Sequence, residues 1–239
     1  MLERKTRQNG LGVPLFGNSR AAALLLLLTF GCFAMIIFRT VWLEERKFWF
    51  LLWNLYLAWL PFIVSIAAIG AGRLLSNRTL RVSIITLLGI LWLLLFPNAP
   101  YLTTDFIHLI SNRPNYVAEG QFLYLVWYDL ILFLLFSWCG LLLGFLSMYQ
   151  FHRLAAQRFG QQAGWLFVLA VSLLGGYGIF LGRIVRLNSW DVLRPDALLA
   201  NVLGHLHTRG LLFTLLFGFM LLFFYVSLYV LQESKKLAD

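Results

Sequence analysis

Long apolar runs alternate with short polar segments along the whole chain. A helix needs about 20 mainly apolar residues to cross a bilayer, and six runs approach or exceed that length: Ala21–Phe38, Phe48–Ala71, Leu80–Phe96, Phe122–Met148, Ala163–Gly182 and Leu211–Leu231. The pattern predicts an all-α, polytopic membrane bundle of about six transmembrane helices. The two long connecting segments, Pro97–Gln121 and Arg183–Gly210, are expected to carry short amphipathic helices.

The composition favours a lipid surrounding over a soluble fold. Hydrophobic residues make up 61% of the 239 residues and charged residues only 12%, against about 45–50% and about 25% in soluble domains. The formal charge of +9 does not indicate a nucleic-acid partner, because the basic residues lie between the apolar runs and form no single stripe. The expected partner is therefore the lipid bilayer.

The chain is expected to form one domain, because its connecting segments are too short to fold alone. We predict a basic N-terminal tail (1–20), one transmembrane domain (21–231) and a C-terminal tail (232–239). The first run resembles a signal-peptide core, but no small-x-small cleavage pattern follows it, so an uncleaved span is predicted. Cys32 and Cys139 lie inside apolar runs and form no CxxC pair. A metal site would have to use His and Asp; none is predicted, and no cofactor is indicated.

The stretch FPNAPYLTTDFIHL, Phe96 to Leu109, places prolines and polar residues directly after the third apolar run. A proline lacks an N–H and restricts the residue before it, so Pro97 and Pro100 predict that the third span ends near Phe96. Asn98 suits the N-cap of a new helix with Pro100 in its first turn.

The polar residues of Tyr101–Asn112 would share one arc of roughly 120° on an α-helix. Asp105 and His108 are three apart and can meet, which suits acid–base chemistry. Two alternatives stay open. The arc faces water from the membrane interface, or it lines a pocket in the bundle with Asp105 and His108 as candidate catalytic residues. The full arc is Tyr101, Thr104, Asp105, His108, Ser111 and Asn112.

Two polar residues, Asn54 and Asp129, lie inside predicted spans. Asp129 lies about 10 Å into the apolar layer at a rise of about 1.5 Å per residue. An Asp at the centre of a span costs about 2.5–3.5 kcal/mol, so we expect Asp129 to be sheltered and paired. Its expected cation is Arg183 or Arg186, and its expected neutral partner is Asn54 or His108. Asn54 and Asp129 either tie helices together or belong to a site, with Asp129 as a third candidate catalytic residue.

The fifth run ends in GGYGIFLGRIVRLNSWD, which combines glycines, two arginines and an acid. Gly178 and Gly182 form a GxxxG pattern that permits close helix contact. Arg183 and Arg186 follow, and a guanidinium is a natural bidentate partner of a carboxylate or phosphate. The alternative is that these arginines only brace the rim through Arg–Asp pairs. The candidate binding residues are Asn54, Tyr101, Arg183, Arg186 and Asp191.

Four motifs taken together resemble a bacterial membrane family catalogued as domain of unknown function 1361. They are FPNAPYLTTDFIHL, WYD (127–129), GRIVRLNSWD (182–191) and WNLYLAWLP (53–61). The resemblance covers roughly Trp53 to Asp191. It implies a polytopic membrane protein of bacteria, and it carries over no activity and no residue role. We expect the protein in the cytoplasmic membrane.

Three functions fit these residues. The first is binding or transport of a small molecule or lipid. The absence of an inverted repeat of the kind many transporters show counts against transport, and six spans are few for a solitary carrier, so a homo-oligomer would be needed. The second is a membrane-embedded hydrolase or transferase for a lipid or envelope substrate, although no HExxH or GxSxG motif is present. The third is an accessory or scaffold subunit. Convergence of Asp105, His108 and Asp129 on one cavity would favour the first two functions, and dispersion the third.

The basic residues predict the orientation. Eleven Lys and Arg residues lie in the tails, the second loop and the fourth loop, and eight, among them Arg39, lie in the other three loops. Because Lys and Arg are enriched on the cytoplasmic side, both termini are expected in the cytoplasm and both long loops outside. Reporter fusions after Met148 and at the C-terminus should therefore read cytoplasmic, and fusions near Asn115 extracytoplasmic. The reverse pattern would contradict this orientation.

Overall fold

The computed structural model describes residues 19–112, 122–186 and 208–238, and in these ranges the chain is helical without strands. The long helices are α1 (Ser19–Leu43), α2 (Phe50–Leu74), α3 (Arg78–Leu95), α6 (Phe122–Phe159), α7 (Gln161–Phe180) and α8 (Thr208–Ala238). Two short helices, α4 (Asn98–Tyr101) and α5 (Ile107–Ser111), are joined by a 3₁₀ helix (Leu102–Phe106), and a π-helical turn (Leu181–Val185) follows α7. The predicted all-α bundle is confirmed.

Six helical stretches of the described ranges are long and apolar enough to cross a membrane. Five are α1, α2, α6, α7 and α8, and the sixth is α3 continued through α4 and α5. Large apolar side chains such as Leu27, Phe30 and Phe219 point away from the bundle and are exposed. Such a surface is stable against lipid but not against water, so the protein is a multi-pass membrane protein.

Several helices run further than the predicted spans, and α1 and α6 are two of them. The helix α1 continues beyond Phe38 to Leu43, so Arg39 lies inside a helix and not in the first loop. The helix α6 continues beyond Met148 to Phe159. Gly160 then separates α6 from α7, with a φ of +94° that an L side chain rarely adopts.

The helix α3 ends at Leu95, as the prolines predict, but the chain does not turn away from the bundle there. It continues along α6 in short helical pieces, which we call the segmented helix (residues 98–111). The pairing is antiparallel. The Trp92 ring lies against Phe151, and further along the Leu102 carbonyl accepts a hydrogen bond of 2.9 Å from the Ser137 hydroxyl. The expected single helix over Tyr101–Asn112 is therefore a broken one, and it fills the third span to its end.

Side-chain hydroxyls satisfy the backbone where the segmented helix departs from α geometry. The Thr103 hydroxyl donates to the Pro100 carbonyl at 2.7 Å, and the Thr104 hydroxyl donates to the Tyr101 carbonyl at 2.6 Å. The Ser137 hydroxyl of α6 donates to the next carbonyl, that of Leu102. Because lipid offers no donors, a broken helix is stable in a bilayer only when the protein itself satisfies such groups.

Glycines let the segmented helix approach its neighbours closely. A Cβ at Gly140 of α6 would overlap the Ala99 carbonyl, and a Cβ at Gly178 of α7 would overlap the Pro97 ring. Gly178 thus allows the close contact that the GxxxG pattern indicates, although the group that approaches it is the Pro97 ring and not the backbone of a second long helix. These two contacts fix the segmented helix between α6 and α7, and this position sets the location of Asp105.

Candidate functional site

Asp105 is the centre of a buried polar cluster. It lies in the 3₁₀ helix and is 1% exposed. Arg183 donates from one terminal nitrogen to Asp105 Oδ1, and Asn54 of α2 donates from Nδ2 to Asp105 Oδ2 at 3.0 Å. Both carboxylate oxygens therefore have a partner, and one of the partners is a cation. A buried carboxylate needs such partners because an unpaired one costs several kcal/mol.

Arg183 reaches Asp105 from the π-helical turn that follows α7. Its Nε donates to the Thr104 hydroxyl at 2.8 Å, while its guanidinium carbon lies 4.4 Å from the centre of the Tyr101 ring. Three residues of the segmented helix, Tyr101, Thr104 and Asp105, therefore hold one guanidinium. A lysine could not reproduce this set, because it lacks the planar fork that donates in two directions while it stacks on a ring.

His108 forms the open edge of the cluster. Its Nε2 lies 3.9 Å from Asp105 Oδ1, which is beyond hydrogen-bond distance but within electrostatic reach. The imidazole packs against Phe50 of α2, with ring centres 4.7 Å apart. Its side chain is 36% exposed, whereas Asp105 beneath it is enclosed. The predicted Asp105–His108 pair is thus present, with the acid inside and the imidazole facing out.

Asp105 is too deeply buried for the polar arc to lie wholly in water at the membrane interface. An interfacial helix would present the whole arc to water, but Thr104, Asp105 and Asn112 of the arc are buried in the bundle. The arc therefore divides. Thr104 and Asp105 face the bundle, Tyr101 and His108 are partly exposed, and Ser111 is exposed. The 3₁₀ winding contributes to this division because it changes the angular spacing that an α-helix would give.

Asp129 is fully buried and paired, as predicted, but the prediction named the wrong cation. Its partner is Arg39 of α1, with Nε 2.7 Å from Oδ1 and a terminal nitrogen 3.1 Å from Oδ2. Arg183, one of the two arginines expected there, pairs with Asp105. The sequence places Arg39 in a loop because an arginine usually ends an apolar run. That Asp129 of α6 neutralises its charge cannot be read from the residues around Arg39.

Two aromatic rings lie between the buried ion pairs. Phe48 has the Arg39 guanidinium over its face at 4.3 Å and packs edge-on against Phe133 of α6 at 5.0 Å. Phe133 in turn lies 6.4 Å from the His108 ring. Asp129 and Asp105 therefore belong to two centres at the same end of the bundle, separated by an aromatic layer. The three candidate catalytic residues therefore do not converge on one cavity. Asp105 and His108 lie together, whereas Asp129 is separate, and its separation favours an accessory or scaffold role for that residue.

The structure places the remaining predicted binding residues in different positions. Arg186 is exposed and closes the π-helical turn in a left-handed conformation, with φ +64°. Asn54 and Tyr101 belong to the Asp105 cluster, as described above. Asp191 lies outside the described residues. The sequence did not single out Thr104 or Arg39 as site residues; Thr104 lay on the predicted arc, which was the available signal.

The cluster has the parts of a binding or acid–base site. It offers an imidazole next to a carboxylate and an arginine held in a fixed orientation. Within the described ranges, no three His, Cys, Asp or Glu residues are grouped so that they could hold a metal ion. Cys32 and Cys139 are both buried thiols.

The fold and this cluster define a polytopic helical membrane protein with a charged centre near one end of the bundle. The family described as protein of unknown function DUF1361 matches residues 53–224. The chain belongs to this family, as its motifs indicated. No curated protein and no solved structure matches it.

The division of the arc predicts how cysteines would react. In a background with Cys32→Ala and Cys139→Ala, a cysteine at position 108 should react with a membrane-impermeant maleimide, and one at 105 should react far more slowly. Ser111→Cys supplies an exposed reference and Leu102→Cys a buried one. Labelling at 105 as fast as at 111, while 102 stays protected, would contradict the burial of Asp105.

Proposed function

We propose that this protein binds a lipid or small molecule at the end of the bundle that carries the Asp105 cluster, and that His108 and Arg183 contact the ligand. The observation that carries the proposal is the division of the cluster. Its carboxylate is buried and held from two sides, while His108 is 36% exposed and Arg183 19% exposed. A purely structural ion pair does not need a half-open imidazole beside it.

The cluster is rigid in the way that a binding site requires. Asn54 and Arg183 fix the carboxylate, and Tyr101 and Thr104 fix the guanidinium. A ligand would therefore meet groups that are already oriented, so less entropy is lost on binding. Transport would require a homo-oligomer or a conformational change as well, and we limit the proposal to binding.

A membrane-embedded hydrolase or transferase is the second candidate function. The observation that favours it is the distance of 3.9 Å between His108 Nε2 and Asp105 Oδ1. A small rotation of the imidazole would complete a hydrogen bond to the carboxylate, and an imidazole held in this way is a usual general base. Asp105 would act as a positioning residue, and the substrate would be a lipid or envelope component.

The Arg39–Asp129 pair favours the accessory or scaffold function, but only for the part of the bundle around Asp129. It is almost completely buried and joins α1 to α6, so its role is to hold the helices together. In the predicted orientation, with both termini in the cytoplasm, both centres lie toward the extracytoplasmic face of the bacterial cytoplasmic membrane.

A photoreactive side chain at Phe50 tests the proposed function. The Phe50 ring lies 4.7 Å from His108, and p-benzoylphenylalanine replaces one aromatic side chain with another. We expect irradiation of intact membranes to produce a discrete adduct at position 50, and His108→Ala should lower its yield several-fold. Mass spectrometry of the purified protein measures the yield.

Phe223 provides the matched control, because it is a phenylalanine exposed to lipid on α8. The same probe at position 223 should capture only bulk lipid, with a yield that His108→Ala does not change. If positions 50 and 223 capture the same lipids in the same proportions, and His108→Ala changes neither, the cluster is not a ligand site.

A further inference from the structure

We infer that the open edge of the Asp105 cluster is an oxyanion site, and that the group it takes is a phosphate, carried by a lipid head group or free in solution. This inference rests on the proposed function and names the chemical class of the ligand. It follows from the hydrogen-bonding capacity that the cluster leaves unused.

The carboxylate and hydroxyl oxygens at the centre of the cluster each accept a hydrogen bond already. Asp105 Oδ1 accepts from Arg183 and Oδ2 accepts from Asn54. The Thr104 hydroxyl accepts from Arg183 Nε and donates its own proton to the Tyr101 carbonyl. The Asp105 carboxylate is 1% exposed, so a cationic ligand at the surface would meet Arg183 and His108 before it reached the carboxylate.

The donors of the cluster are not exhausted. Arg183 uses Nε and one terminal nitrogen, and its second terminal nitrogen has no hydrogen-bond partner within the described part of the chain. His108, whose side chain is 36% exposed, adds a ring N–H, and the Tyr101 hydroxyl is a further donor without a partner among those residues. A guanidinium edge, an imidazole and a hydroxyl together match the oxygens of a phosphate.

The charge at this edge has the sign that a phosphate requires. The Arg183 charge is balanced by the buried Asp105, but the exposed Arg186 adds a positive charge at the end of the same π-helical turn. The Tyr101 hydroxyl lies within electrostatic reach of both arginines. An oxyanion at the Tyr101 hydroxyl would therefore be attracted by Arg186 without displacing the internal ion pair.

The surrounding aromatic residues place the edge at the level of lipid head groups. Trp49, Trp53 and Tyr56 are exposed on the first turns of α2 or just before it, and Asn54 of the cluster follows Trp53 directly. Tryptophan and tyrosine concentrate where the acyl region meets the head groups. This is the depth at which phospholipids carry their phosphates, and it is also accessible to solutes from the adjoining aqueous phase.

Native mass spectrometry of the full-length protein in detergent tests the inference with two lipids that differ only in a phosphate. Phosphatidic acid should bind at least about tenfold more tightly than diacylglycerol with the same chains. Arg186→Gln should weaken the binding of phosphatidic acid by about tenfold, the change produced by about 1.4 kcal/mol. Arg158→Gln, which removes an exposed positive charge where α6 ends, should leave it unchanged.

Inorganic phosphate distinguishes the two sources of the ligand. Displacement of phosphatidic acid by millimolar phosphate, or binding of phosphate without the lipid, would assign the site to a soluble phosphate compound. Binding of phosphatidic acid that phosphate does not displace would assign it to a lipid. Equal binding of both lipids, unaffected by Arg186→Gln, would overturn the oxyanion site and leave ligand binding intact. Binding of none of the three probes would also overturn it, while the adduct at Phe50 would still test the proposed function separately.

Discussion

The ion pair between Asp105 and Arg183 is the interaction on which the arrangement of this end of the bundle depends. Arg183 belongs to the turn after α7, Asp105 to the segmented helix, and the second carboxylate oxygen is held by Asn54 of α2. One buried carboxylate therefore joins three elements that are distant in the sequence. In a bilayer, where apolar contact alone does not favour one helix neighbour over another, such polar contacts add specificity to helix packing.

The segmented helix provides three of the contacts to Arg183. Tyr101, Thr104 and Asp105 are spaced i, i+3 and i+4, so they share one face of the segment and can reach the same guanidinium. The prolines end the α-helix, and the 3₁₀ helix that follows changes the angular spacing of the side chains. Hydroxyl groups donate to the carbonyls that lose their helical partners at the break. Gly140 and Gly178 then admit the segment between α6 and α7. The polar stretch after the third apolar run thus has a structural explanation as well as a chemical one.

Much of the fold could be predicted from the sequence because lipid imposes strong rules on composition and length. The six apolar runs, the end of α3 at the prolines and the need to shelter Asp129 all follow from those rules. The partners could not be predicted in the same way. Asp129 could have paired with any arginine at its depth, and Arg39, 90 positions away, was hidden by its position at the end of an apolar run. The contact between Asp105 and His108 could be predicted because the two residues are three positions apart on one predicted helix. The contact between Asp105 and Arg183 depends on how distant helices pack and could not.

Asp105 and Arg183 stabilise the bundle as a pair. Thermal unfolding in detergent of Asp105→Asn, Arg183→Gln and the double variant measures this coupling. Each single change leaves a buried polar group without its partner and should cost about 3–5 kcal/mol. The double variant should be less destabilised than the sum of the two single variants, by about 1–3 kcal/mol. Additive losses would show that the two side chains contribute independently and would contradict the account.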